Sequence, residues 1–336
     1  MSTGMLRHYI RSQFFTNLPV PSKDLSGYTI IVTGSNQGIG LEAARHFVRL
    51  KAAKVILAVR TVSKGEKAKR SIEASTGRQG VVEVWPLDLC SYASVQAFAE
   101  RATTRLERLN ALVSNAGINI SAFDWAEDNE SITTVNYVST FLLALLLLPK
   151  LRETSLNHNK DAVATFVGSF LHLVARFEER KAPDILEACA DPKTTDMSDS
   201  SLTACRYNTS KLMELLATRE LAEQLTRSAK PGNILASIVN PGSVRTNINR
   251  NQPLIFRMIV FVVLLVVGRP AEVGGRTVVH PCVAGQESHG QYLDNCEVGV
   301  PSDFVRSEEG LETQRKLWKQ LLDKLEHIHP GISANI

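Results

Sequence analysis

Short apolar runs alternate with helix-periodic stretches along most of this chain. Residues 28–32, Tyr28-Thr29-Ile30-Ile31-Val32, lie between Gly27 and Gly34 and are rich in β-branched side chains. An apolar run without alternation is how a strand covered on both faces reads. Runs of the same kind recur at 54–59, 81–86, 111–113, 162–167 and 234–239, with a last one at 291–293. The segments between them carry a helical period. They predict a helix from Leu41, one over 63–75 capped by Ser63 and stopped at Gly77, one over 92–106, and a long apolar one over about 131–151. Further helices follow from Tyr207 to about Ser228, over 270–283, and, charged and amphipathic, over 308–326. Strand alternating with helix predicts an α/β fold, a single doubly wound parallel sheet flanked by helices on both faces. It occupies residues 25–325, between an N-terminal arm (1–24) and a C-terminal tail (326–336).

Two stretches interrupt the alternation and read as substrate-side insertions. One, at about 170–206, is polar and acid-rich through Asp191, Asp196 and Asp199, with a short helical piece near 185–190. The other, at about 247–269, is dominated by the apolar run 254–267. That run contains Arg257 and is too short to span a bilayer, so it predicts a buried or interfacial helix. The run 141–148 ends at Pro149 and is also too short to span, which favours a buried helix. The first twenty residues lack an uninterrupted apolar core, so no signal peptide is expected. They do mix Leu6, Arg7, His8, Tyr9, Ile10, Arg11, Phe14 and Phe15, a pattern that fits a docked helix, a frayed end or a segment lying on a membrane surface.

Composition changes this picture little. The 336 residues are 44% hydrophobic and 21% charged, as in a globular protein with a sizeable core. A net charge of +4 with the basic residues dispersed gives no case for nucleic acid. The densest basic run, 64–70, is broken by Glu66 and reads as a solvated helix face, with phosphate contact conceivable at its start. The five cysteines, Cys90, Cys189, Cys205, Cys282 and Cys296, lack CxxC or CxxH spacing. A reducing compartment is expected, cytoplasmic or peripheral on a membrane, with no disulfide framework and no metal site.

The chemistry begins after the first strand, at Thr33-Gly34-Ser35-Asn36-Gln37-Gly38-Ile39-Gly40. Strand, glycine-rich turn, then helix is a dinucleotide-binding opening of Rossmann type: Gly34 makes the tight turn, Gly38 lets backbone approach a pyrophosphate, and Gly40 packs helix on strand. The helix N-terminus favours the phosphates. Arg60 ends the second strand, where an acidic residue would accept from ribose hydroxyls and an arginine instead favours a 2′-phosphate; NADP(H) is therefore favoured over NAD(H). Asp88, in Leu87-Asp88-Leu89, suits an adenine amino group or a helix cap. Asn115-Ala116-Gly117 offers small residues where a flat cofactor passes close to backbone. Asn136 is an amide among apolar neighbours and needs a defined partner. Ser169 ends the fifth strand. Pro241-Gly242, followed by Val244 and Thr246, makes a rigid bend that can cover a ring. Finally, Tyr207 and Lys211 share a helix face. A phenol titrating near ~10 becomes useful at neutral pH when an adjacent cation lowers its pKa; about three units ask for roughly 4 kcal/mol. That pair suits acid/base work on a hydroxyl or carbonyl.

In order along the chain, TGxxxGIG at 33–40, Asp88-Leu89, Asn115-Ala116-Gly117, Asn136, Ser169, Tyr207-x-x-x-Lys211 and Pro241-Gly242 with Thr246 resemble the short-chain dehydrogenases/reductases. The phrases at 41–46, 84–89 and 206–212 are most similar to the retinol-dehydrogenase-like members of filamentous fungi. The resemblance implies an oxidoreductase moving a hydride between nicotinamide and a carbonyl or alcohol carbon. Tyr207 then exchanges the proton, Lys211 lowers the Tyr207 pKa and binds the nicotinamide ribose, and Ser169 holds the substrate oxygen. Asn136 would keep a water relaying protons to Lys211, and Gly242 and Thr246 would secure the carboxamide. Gly168-Ser169-Phe170 replaces the commoner paired serines, and Asn110 and Ser114 stand where aspartate and asparagine are frequent. The expected substrate is a moderately apolar small molecule, such as a fungal secondary-metabolite intermediate, and the family implies a homodimer through the long helices. Two alternatives are a silent nucleotide-binding regulatory protein and a membrane-associated retinoid or lipid oxidoreductase.

Overall fold

The computed structural model describes residues 3–193 and 206–336. Asp196, Asp199 and Cys205 lie outside the described residues. Eight strands form one sheet: β1 Thr29–Thr33, β2 Lys54–Val59, β3 Val82–Pro86, β4 Ala111–Ser114, β5 Ala162–Val167, β6 Ile234–Asn240, β7 Tyr292–Asp294 and β8 Glu297–Val298. Their spatial order is β8-β7-β6-β5-β4-β1-β2-β3, parallel throughout except for β8 against β7. The chain thus winds outward through β2 and β3, returns beside β1 at β4, and winds the other way. That reversal opens a crevice at the carboxyl ends of β1 and β4, where doubly wound sheets bind ligands.

The apolar runs became strands because both faces of the sheet are covered. Helices Tyr92–Arg105, Ser139–His158 and Arg206–Arg227 bury one face, with Leu112, Ala164 and Phe166 among the residues beneath them. Helices Gly38–Arg49, Val62–Thr76 and Ala271–Val279 cover the other, over Ile30, Val32, Leu57 and Val113. The Gly38–Arg49 and Ala271–Val279 helices touch backbone to backbone: a Cβ on Gly275 would come within 3.0 Å of the Ala43 nitrogen. Only glycine permits that approach.

Several elements depart from the sequence reading. Thr61, not Ser63, precedes the second helix, and no side chain caps it. The helix expected over 270–283 breaks into Ala271–Val279 and Pro281–Ala284, since Pro281 has no N–H to continue the ladder. The long apolar helix runs to His158 rather than 151, straight through Pro149. Proline leaves the carbonyl four residues earlier without its partner; here the Asn335 side-chain amide donates to the Leu145 oxygen at 3.1 Å and fills the gap. The run 254–267 does form a helix, Leu254–Val267, but none of its residues is buried, so the buried alternative fails. A two-stranded hairpin, Trp125–Ala126 with Asn129–Glu130, and strand β8 had no expectation.

The N-terminal arm is docked. A helix, Thr3–Ile10, runs into a wide turn, Arg11–Phe15, and lies against the ends of β6 and β7. His8 Nε2 lies 2.7 Å from Asp294, the Tyr9 and Ser243 hydroxyls are 2.7 Å apart, and the Ser12 hydroxyl donates to Asn295 at 2.9 Å.

Candidate active site

A cavity of about 960 Å³ opens at the carboxyl ends of the strands, and its wall includes residues from the glycine turn, the ends of β2, β4 and β5, the start of the Arg206–Arg227 helix, and the 241–264 segment. At one end, Gly34 and Gly38 take positive φ (65° and 60°), which glycine alone adopts at low cost. A Cβ on Gly34 would sit 2.8 Å from the Ala116 Cα, so the turn lies directly on the segment after β4. Asn115 ties the two together, its amide donating to the Thr33 oxygen at 2.8 Å while the Thr33 hydroxyl accepts from the Asn115 and Ala116 N–H groups. Gln37 leads into the Gly38–Arg49 helix without giving it a side-chain cap. Its first N–H groups therefore face the cavity with no side-chain partner, which fits a phosphate-bearing cofactor. Thr246 closes over this end, its methyl within 3.4 Å of where a Gly38 Cβ would stand.

Of the residues expected at the cofactor, Gly34, Asn36, Gln37, Gly38, Ile39, Gly40, Arg60, Asp88, Leu89, Asn115, Ala116, Gly117, Pro241, Gly242, Val244 and Thr246 all line the cavity. Ser35 does not: its hydroxyl turns inward to the Val32 oxygen at 2.7 Å and pins the turn. Asp88 had two readings. The helix cap is Ser91, whose hydroxyl accepts from Ser94, while Asp88 accepts from the Cys90 N–H at 3.0 Å and stays on the cavity wall. Arg60 is exposed there, with Thr61 and Lys64 beside it on the rim. Lys64 is the start of the basic run for which phosphate contact was conceivable.

Tyr207, Lys211 and Ser169 share the cavity wall further in. The Lys211 ammonium is buried 5.8 Å from the Tyr207 ring centroid and donates to the Val167 oxygen at 2.6 Å and to Glu214 Oε2 at 2.7 Å. Glu214 is itself buried, and sequence reasoning missed it although Lys211 and Glu214 stand one turn apart on the same face. Burial pushes the Glu214 carboxyl up to about 7, against the pull of Lys211. Burial works the other way on the Lys211 ammonium, but Glu214 and then Tyr207 outweigh it and leave its pKa above the ordinary lysine value. Arg206, just before Tyr207, is buried and paired with Glu179 at 2.7 Å, which fixes the first turn of the helix.

Ser169 leads into a short 3-10 turn, Phe170–Val174, and its hydroxyl accepts from the Leu171 N–H at 3.2 Å. Gly168 allows this, since a Cβ there would meet the Ile238 side chain at 2.8 Å. His172, also missed, lies 2.8 Å from the Ser169 backbone oxygen through Nδ1; burial takes it down to about 4, so it acts as a neutral brace. Asn136 sits in a π-helical turn, Thr134–Val138, behind the wall rather than on it. Its Oδ1 accepts from the Ile118 N–H, and its amide donates to the Ile118 oxygen and to Ser210, which in turn donates to the Tyr207 backbone carbonyl oxygen. A Cβ on Gly117 would stand 3.2 Å from Asn136 Oδ1 and 3.8 Å from Lys211 Nζ, so glycine keeps the space between them open.

The far end of the cavity carries the apolar side chains of Ile120, Ile248, Phe256, Val260, Val263 and Leu264, with Asn119, Asn249, Arg250 and Gln252 among them. Tyr9 of the docked arm reaches the same cavity.

Residues 28–170 match the family model described as short chain dehydrogenase. The short chain dehydrogenase/reductase dmxR8 of a Cryptosporiopsis species is 44% identical over 331 residues, covering 97% of this chain and 99% of that one. The short chain dehydrogenase atnD of Emericella nidulans is 45% identical over 291 residues, covering 86% and 90%. Among solved structures, the Pseudomonas aeruginosa RhlG/NADP active-site complex shares the fold with a TM-score of 0.59 at 22% identity, over 80% of this chain and 95% of that one.

Proposed function

The chain belongs to the short-chain dehydrogenase/reductase family of nicotinamide-dependent oxidoreductases, and from that premise we propose that it is an NADP(H)-dependent reductase of a ketone or aldehyde, or dehydrogenase of the matching alcohol, on a moderately apolar small molecule. The observation that carries the reading is a single cavity that has the glycine turn at one end, Tyr207, Lys211 and Ser169 in the middle, and apolar side chains beyond. The nicotinamide, when bound, supplies or takes the hydride at the carbonyl carbon. In the reductive direction the Tyr207 hydroxyl gives its proton to the carbonyl oxygen, so that C=O becomes CH–OH. The Ser169 hydroxyl donates a hydrogen bond to that same oxygen and positions it. Lys211, held between Val167 and Glu214, stabilises the negative charge left on the Tyr207 oxygen.

Arg60, exposed at the end of β2 with Lys64 next to it on the rim, supports a 2′-phosphate and hence NADP(H) over NAD(H). The fungal source of the relatives supports a secondary-metabolite intermediate as substrate. The test is NADPH oxidation by the purified chain against a panel of apolar carbonyl compounds. Tyr207→Phe is expected to lose at least about 10²-fold in kcat/KM while still binding NADPH, because it removes only the proton donor. Undiminished turnover by that variant sinks the mechanism, and NADPH binding with no turnover on any carbonyl favours a silent nucleotide-binding protein.

A further inference from the structure

The Leu254–Val267 helix has an exposure that a globular surface does not explain. Ile255 is 75% exposed, Met258 61%, Phe261 63%, Val262 60% and Val266 70%, and with Leu254, Ile259, Val263 and Leu265 the open apolar residues cover more than half of the helix circumference. One face, Phe256, Val260, Val263 and Leu264, lines the cavity, and the rest of the helix surface is apolar and open apart from the exposed Arg257. The wide turn of the arm adds Phe14 and Phe15, 48% and 79% exposed. It lies against the carboxyl end of this helix, for the Gln13 side-chain amide group is 3.2 Å from the backbone oxygens of Ser243 and Val267. Contiguous apolar surface of this kind marks a binding face.

We propose that the Leu254–Val267 helix and the Phe14–Phe15 turn together form a docking surface for an anionic phospholipid bilayer, entered to interfacial depth. Three observations select that occupant. An open apolar face wider than half the helix, interrupted by Arg257 alone, is broader than the stripe with which a helix packs on one partner and suits burial in a lipid interface. Fourteen residues make about 21 Å of helix, short of a ~30 Å hydrocarbon core, so the helix lies in the interface instead of spanning it. The charge around it is of one sign: Arg245, Arg250 and Arg257 are exposed within 245–269 and Arg7 and Arg11 within residues 3–15 of the arm, and neither stretch contains an aspartate or glutamate. A second copy of the chain meeting this patch through a two-fold axis would bring the arginines together with no acid to pair them, whereas anionic headgroups neutralise them. The helix is anchored for the purpose at both ends. The Arg245 guanidinium donates to the Leu264 and Leu265 oxygens, and Asn119 bonds Asn249 and Gln252 at the other end. Since one face of the helix walls the cavity, docking brings the cavity entrance to the lipid; that consequence rests on the function proposed above, while the docking itself does not.

The experiment is co-sedimentation of the full chain, without cofactor, with vesicles of phosphatidylcholine alone and of phosphatidylcholine with 30 mol% phosphatidylserine, a composition of about the anionic content that attracts basic segments. The chain is expected to pellet with the mixed vesicles, several-fold less with neutral ones, and less again as the double variant Ile259→Glu with Val262→Glu, two exposed positions that do not line the cavity. NADPH affinity of that variant reports that the fold is intact and is expected to be unchanged. Equal pelleting of parent and variant on mixed vesicles, or none by either, overturns the proposal. So does light scattering that gives a two-chain mass for the parent and a one-chain mass for the variant, which assigns the surface to a second copy.

Discussion

The two ends of the cavity are built on opposite plans. At the cofactor end, the glycine turn is clamped to the segment after β4 by Thr33, Ser35 and Asn115, and each of these bonds lies in or against the sheet. At the substrate end, the wall includes one helix without a buried residue, reached through an insertion tied down by the Asn119 contacts, by Arg245 and by the pairing of Val244 with Arg269. The first end is specified by backbone geometry that few side chains satisfy. The second is specified by apolarity, which many do. Substitutions should therefore be felt very differently at the two ends.

The largest effect is expected at Gly34. Valine there meets both a positive φ of 65° and a Cβ 2.8 Å from the Ala116 backbone. Strain of about 1–2 kcal/mol from the left-handed backbone and about 1–3 kcal/mol from overpacking add up to a chain with a clearly lower Tm and NADPH binding reduced by at least about tenfold. A Gly34→Val protein with parental melting and titration curves would show that the turn is looser than its contacts say. Next comes Arg60→Asp, at the rim of the same end. Loss of a charge-assisted contact to a 2′-phosphate costs about 1.5–3 kcal/mol, so Kd for NADPH should rise about 10–100-fold with little change in Tm, and NADH should gain on it. If NADPH and NADH affinities keep their ratio, the choice is made elsewhere.

Glu214 sits between the two ends and gives a pH signature. Its carboxyl is raised from 4.5 to about 7 by burial, so between those values the folded chain holds a proton that the unfolded chain has released. Stability from this group is therefore present below about pH 4.5 and is lost as pH rises through 7. Glu214→Gln removes the titration while keeping an oxygen for Lys211. Melting curves from pH 4.5 to 8 should show a shallower decline for the variant than for the parent. Parallel curves would mean that Glu214 stays ionised beside Lys211 throughout.

How much of this was legible in the sequence divides along the same line. The parallel strands were, because burial on both faces leaves an uninterrupted apolar run, and β2 and β5 have the bounds that pattern predicts. The chemistry at Tyr207 and Lys211 was, because spacing on a helix is a local property. What the reading missed depends on residues far apart in the chain. Pro149 ends an apolar run, and nothing nearby reveals that Asn335 will occupy the Leu145 oxygen and let the helix continue. The arm is docked by Ser243, Asp294 and Asn295, more than two hundred residues away. The run 254–267 read correctly as a helix, yet apolarity alone does not say what lies against it. Glu214 is the exception: a carboxylate at i+3 from Lys211 was visible, but one acidic residue on a long helix looks like any solvated position until its burial is known.

The smallest effect belongs to the substrate end, and it tests the comparison from the permissive side. Phe256 lines the cavity yet is 40% exposed, so Phe256→Ala leaves no sealed void and takes away only partly buried area. A substitution without a cavity to create lies within about ±0.5 kcal/mol in stability, so Tm should move by no more than a degree or two. Cofactor affinity should move little, because Phe256 offers a cofactor neither a charge nor a hydrogen bond. What should change is KM for an apolar ketone, by a few-fold, with kcat nearly constant, since the lost contact is made equally in the ground and transition states. A fall in kcat as large as that in kcat/KM would place Phe256 against the reacting carbon and make the substrate end as exacting as the cofactor end. A fall in Tm comparable to that of Gly34→Val would mean that the helix is packed in solution against a surface that covers it.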